Sequence, residues 1–138
     1  MEKALTIRVW LPVRPELLYS IWLSSRQLSE FTGSPANIDS RVGGSFTVWN
    51  GFISGRNLVL IPGRQIVQAW RTTDFPADAP DSTLDLTFEA YTGGTVLTLV
   101  HRDLPADQVE DYRLGWTEQF LQPLKDYLEQ IVDGEDMH

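Results

Sequence analysis

The sequence predicts an α+β domain, an antiparallel sheet closed against one long C-terminal helix. Two patterns carry that expectation. Between Pro105 and Ile131, the residues Val109, Tyr112, Trp116, Phe120, Leu124, Tyr127 and Ile131 recur at steps of three or four, so they share one helical face. Between Ile38 and His101 the period is instead two, in branched and aromatic runs separated by Gly, Pro, Asn and Asp.

The elements follow in order. Leu5 to Leu11 alternates and is rich in branched residues, a first strand ended by Pro12 and Pro15. Pro15 suits the first position of a helix whose apolar face is Leu17, Leu18, Ile21 and Trp22. Ser24-Ser25 breaks that helix and caps a second, Arg26 to Thr32, which Gly33 stops. Strands are then expected over Ile38 to Val42, Ser45 to Trp49, Ile53 to Ile61, Gln65 to Thr72, Thr83 to Tyr91 and Thr95 to His101. Gly43-Gly44, Asn50-Gly51, Pro62-Gly63 and Gly93-Gly94 mark the turns, Asn50-Gly51 being the strongest hairpin signal. The Pro- and Asp-rich stretch Asp74 to Asp81 is a loop, with Arg71 expected to pair with Asp74. Alternation selects the faces turned to the long helix: Phe46 and Val48; Ile66, Gln68 and Trp70; Leu84, Leu86 and Phe88; Leu97, Leu99 and His101. Gly134 is expected to end the helix, and Pro123 to kink it.

The totals bound the rest. A chain of 138 residues suits one domain, read as residues 1–132 with a flexible tail at 133–138. A formal charge of −8 argues against nucleic acid and against anionic membrane surfaces. The absence of cysteine removes disulfides, thiolate nucleophiles and cysteine-based zinc sites. Arg8 interrupts the N-terminal apolar run, and no stretch has the length of a membrane span, so the protein is read as cytoplasmic.

Three segments taken together resemble a known family: WLSSRQLSEFTG from Trp22, VGGSFTVWNGFISGRNLVLIPGRQIVQAWR from Val42, and GWTEQFLQPLKDYLE from Gly115. They resemble the activator-of-Hsp90-ATPase-like (AHSA1-like) proteins of the START/Bet v 1-like helix-grip superfamily, over about Leu5 to Glu129. The resemblance implies a curved sheet of about six to seven strands gripping the C-terminal helix, with two short helices after the first strand. It also implies two kinds of partner. Superfamily members enclose a cavity between sheet and helix, and many bind apolar small molecules. Eukaryotic co-chaperone members carry this domain behind a separate N-terminal domain, for which these 138 residues leave no room.

Few residues offer chemistry. There are only two histidines, His101 and His138. His101, on an inward face at a strand end, is read either as a polar group at the cavity rim or as a half-buried side chain bonded to backbone or Asp103. GGSF lacks the GxSxG pattern of a nucleophile elbow, and no phosphate loop or HExxH is present. Asp74, Asp78, Asp81 and Asp85 crowd one loop without the spacing of an EF-hand, so no metal and no cofactor is expected. The candidate cavity lining is Trp22, Phe31, Phe46, Val48, Gln68, Trp70, Leu86, Phe88, Leu97, Leu99, His101, Trp116 and Phe120, with Gln68 and His101 as its polar members. Trp10 and Trp49 are placed on outer or edge surfaces. The leading reading is a non-enzymatic binder of an apolar, lipid-like small molecule, monomeric or homodimeric. The alternative is an Hsp90-type co-chaperone or stress-related interaction module. A cyclase- or hydrolase-type enzyme, with His101 as its acid/base group, ranks last.

Overall fold

The computed structural model describes residues 3–136. Seven strands, β1 (Leu5–Leu11), β2 (Asn37–Ile38), β3 (Ser45–Val48), β4 (Ile53–Ile61), β5 (Gln65–Thr72), β6 (Ser82–Tyr91) and β7 (Gly94–Arg102), form one curved antiparallel sheet. Its order is β1-β7-β6-β5-β4-β3-β2, so every neighbour but β1–β7 is a sequential hairpin. Helices α1 (Pro15–Trp22) and α2 (Ser25–Thr32) fill the connection from β1 to β2. A 3₁₀ turn (Ala106–Gln108) then leads into a helical run of 28 residues. It consists of α3 (Val109–Leu114), a π-helical stretch (Gly115–Leu121) and α4 (Gln122–Asp136).

Local chemistry explains most boundaries. Pro15 opens α1, where its missing N–H is no loss. The Ser24 hydroxyl accepts the Gln27 N–H to cap α2, and Gly33 closes that helix in the left-handed region at φ 74°. The hairpin from β3 to β4 turns on Asn50 and Gly51, at φ 54° and 92°, with the Phe52 N–H bonded to the Trp49 carbonyl at 3.1 Å. Positive φ at both central residues matches the twist of the flanking strands, although four residues, 49–52, separate β3 from β4. The inward faces are those the alternation gave: Phe46, Val48, Ile66, Gln68, Trp70, Leu84, Leu86, Phe88, Leu97, Leu99 and His101 are all buried.

Several expectations are corrected. The strand foreseen over Ile38 to Val42 shrinks to Asn37–Ile38, and Val42 is exposed, because Arg41 to Gly44 fold into a turn held by Asn57. Trp49 lies past the end of β3 at φ 51°, so alternation no longer governs where its ring goes. Arg71 does not pair with Asp74. It bonds Asp81 at 2.8 Å and the carbonyls of Ala79 and Pro76, and lies 5.4 Å from the Phe75 ring centroid, organising the whole loop.

The long helix differs most. Of its predicted stripe, Trp116, Phe120 and Leu124 are buried, whereas Val109, Tyr112, Tyr127 and Ile131 are only half-buried. Leu121 and Leu128 are buried in addition. The π stretch, closed by the Gln122 N–H on the Thr117 carbonyl, inserts an extra residue and rotates the face that follows it. The helix continues through Pro123, and the irregularity sits just before it. A wider turn relieves the clash of the proline ring with the carbonyl four residues earlier. Tyr127, displaced from the core, instead donates to Glu30 at 2.7 Å and ties α4 to α2. Gly134 does not end the helix, which runs to Asp136; the tail foreseen from Asp133 is therefore helical as far as Asp136, and 137–138 lie outside the described residues.

Gly55 lies opposite Trp70 in β5 and Phe46 in β3. A Cβ at Gly55 would overlap the Ala69 carbonyl and come within 2.7 Å of the Phe46 ring. Gly55→Ala is accordingly expected to lower unfolding free energy by about 2–4 kcal/mol, measured by urea titration. A loss within experimental error would show that β4 and β5 are not packed so closely.

Candidate functional site

His101 is the hub of a buried hydrogen-bonded chain. The Trp116 indole N–H donates to its Nδ1 at 3.0 Å, so Nε2 carries the ring proton. That N–H reaches the Ser82 hydroxyl at 2.8 Å, and Ser82 in turn donates to the Trp70 carbonyl at 2.6 Å. Both ring nitrogens are thus engaged, and the side chain is wholly buried. Burial pushes its pKa down to about 3, so the imidazole is neutral at ordinary pH. His101 is not at a cavity rim, and Asp103, exposed at φ 62°, is not its partner.

Gln68 is likewise committed. Its Nε2 donates to Asn57 Oδ1 at 2.9 Å, and Asn57 Nδ2 donates to the carbonyls of Asp39 and Arg41 at 2.8 and 3.1 Å. This fastens the loop before β3 to the middle of the sheet.

Between the sheet and the helix, Trp22, Phe46, Val48, Gln68, Trp70, Trp116 and Phe120 surround a space of only about 20 Å³. That is room for about one water. Aromatic packing fills the rest. Trp22 and Phe120 have ring centroids 4.8 Å apart, Trp116 and Phe120 5.0 Å, and Phe31 meets Phe120 edge-on at 5.1 Å. Leu86, Phe88, Leu97 and Leu99 are core farther along the sheet, Phe88 packing against Tyr19 of α1 at 6.0 Å. The enclosed chamber predicted from these residues is therefore largely filled.

The larger opening lies outside, where the π stretch passes the β3–β4 hairpin. A cleft of about 380 Å³ is lined by Trp49, Phe52, Ile53, Trp70, Tyr112, Leu114, Gly115, Trp116 and Phe120, with Asp74, Asp111, Glu118 and Gln119. Three predicted site residues, Trp70, Trp116 and Phe120, reach it. Trp49, expected on an outer or edge surface, and Phe52, for which no role was expected, flank the left-handed turn at residues 49–51 and both line the cleft. Tyr112 anchors one wall. Its hydroxyl donates to Gln108 Oε1 at 2.7 Å and accepts from Thr72 at 2.6 Å, while Gln108 Nε2 bonds the Asp74 carbonyl at 2.9 Å. These bonds tie the loop after β5 to the start of the long helix. Burial, with the nearby carboxylates of Asp74, Asp111 and Asp107, raises the Tyr112 pKa despite the Thr72 bond. Among the described residues no group of three or more His, Cys, Asp or Glu is placed to hold a metal, and no helix is long and apolar enough to cross a membrane.

A curved antiparallel sheet gripping one long C-terminal helix, with two short helices at one end, is the helix-grip architecture of START/Bet v 1-like proteins. Residues 12–129 match the model of the activator of Hsp90 ATPase homolog 1-like proteins, and the chain belongs to that family. Human activator of 90 kDa heat shock protein ATPase homolog 1 is 31% identical over 121 residues, covering 88% of this chain and 36% of its own length. Mouse homolog 2 is 32% identical over 114 residues, covering 83% and 34%. The chain thus spans about a third of the length of these relatives. Among solved structures, an HSP90 activator from Plasmodium falciparum has a TM-score of 0.85 at 27% identity, over 92% of this chain and 96% of that one. The Aha1 dimer from Colwellia psychrerythraea, at 19% identity and a TM-score of 0.78, shares the fold.

His101 yields a pH prediction. Its folded pKa lies below the usual value of 6.5, so the unfolded chain binds the extra proton first as pH falls. Its contribution is complete above about pH 6.5 and fades towards pH 3, at up to about 1.4 kcal/mol per pH unit. The stability gap between wild type and His101→Gln should therefore narrow steadily from pH 7 to pH 4 in urea titrations. A gap independent of pH would contradict the buried neutral imidazole.

Proposed function

We propose that this chain acts on an Hsp90-class chaperone and raises its ATPase turnover through contacts made by its outer surface. The observation that carries this is the likeness over 96% of a Plasmodium falciparum chain described as an HSP90 activator, joined to the family membership. A filled interior agrees with it. Aromatic packing closes the space between sheet and helix, which leaves the outer surface for contacts.

A second reading, binding of an apolar small molecule, is favoured by the open cleft, whose size falls within the usual range of small-ligand sites. The enzymatic reading has less support, because His101 has both nitrogens occupied and is sealed from solvent.

The deciding assay is steady-state ATP hydrolysis by a purified Hsp90-class chaperone with the chain titrated in. Saturable stimulation is the expected result. Unchanged turnover, together with no binding by calorimetry at low salt, would overturn the chaperone reading.

A further inference from the structure

We propose that the cleft beside the π stretch is a binding site for a small organic cation, an amine carrying an apolar or aromatic group. Three features of the cleft lead there, independently of any chaperone. Its lining includes the aromatic rings of Trp49, Trp70, Trp116 and Phe120, whose electron-rich faces attract ammonium groups. Its charged residues are all acidic: Asp74, Asp111 and Glu118 are exposed beside it, and no Lys, Arg or His contributes to the lining. None of the three carboxylates takes part in an ion pair among the described residues, so none is neutralised by a direct partner. An aromatic lining next to unpaired carboxylates discriminates strongly by charge. It rewards a cation, tolerates a neutral ring and repels an anion.

Gly115 is the third feature. It sits inside the helical run at φ −59°, a conformation open to any residue, and a Cβ there would meet nothing within 4 Å. Glycine at such a position weakens a helix by about 1 kcal/mol relative to alanine. No steric demand accounts for it. What the missing side chain does achieve is to leave the mouth of the cleft open, since Gly115 is itself part of the lining.

Three para-substituted phenols of nearly equal size separate charge from shape: tyramine, para-ethylphenol and para-hydroxyphenylacetate. Heteronuclear NMR titration of the isotope-labelled chain reads binding through the indole N–H signals of Trp49, Trp70 and Trp116. Tyramine should give saturable shifts at millimolar concentration or below, with affinity about tenfold above para-ethylphenol at low salt. Para-hydroxyphenylacetate should give none. Replacing the carboxylates together (Asp74→Asn, Asp111→Asn, Glu118→Gln) should make tyramine and para-ethylphenol bind alike. Gly115→Leu should abolish both while its thermal midpoint stays at or above that of wild type, which separates plugging from unfolding. Equal binding of all three phenols, unchanged tyramine binding by Gly115→Leu, or no saturable shift with tyramine would each overturn the proposal.

Discussion

The hydrogen-bonded chain from the Trp116 indole through His101 and Ser82 to the Trp70 carbonyl fixes how the long helix sits on the sheet. Apolar contacts alone are tolerant of sliding, because any residue of suitable size can replace another along a greasy face. A buried indole N–H and a buried imidazole are not tolerant. Each is costly without its partner, so the helix has one height and one rotation at which all four groups are satisfied. No buried side-chain nitrogen or oxygen among the described residues is left without a partner. The same constraint holds His101 neutral and takes it out of contention as an acid or base.

Once the helix is fixed by Trp116, the π stretch decides what lies on either side. Trp116 and Phe120 belong to it, and both face the small internal space and the external cleft. A regular helix would carry the residues after Phe120 round in the phase of the predicted stripe. The additional residue keeps Leu124 in the core, brings Leu121 and Leu128 in beside it, and leaves Tyr127 at the edge to bond Glu30. Closure of the interior and opening of the cleft are thus two results of one irregularity. Such widened turns are common where a helix borders a functional surface.

The fold was legible wherever a single local rule operated. Strands β1, β4 and β5 begin and end where alternation and turn residues place them, and both short helices start and stop at their expected caps. The misplaced features are those that local rules cannot distinguish. Steps of four from Trp116 to Phe120 to Leu124 fit an α-helix and do not announce a π turn, although Gly115 and Pro123 bracket it. Trp49 looked like an outward strand residue because alternation was extended one position too far, into the left-handed turn. Gln68 and His101 were correctly seen as polar residues on an inward face. Their partners, Asn57, Ser82 and Trp116, come from other elements and cannot be found by spacing along the chain.

The candidate site was half-visible for a related reason. Sequence alternation says which side chains turn inward but not how much volume they must fill, and here eleven side chains converge on a space with room for about one water. The rings that fill that space also line the outer cleft, so the site shares its lining with the core. Trp70, Trp116 and Phe120 line the cleft, and Trp116 also holds the His101 chain that locks helix to sheet. The cleft wall and the lock between helix and sheet therefore meet at one residue. An occupant that suits Trp116 in its locked position adds to stability, and one that displaces it must first break a buried hydrogen bond.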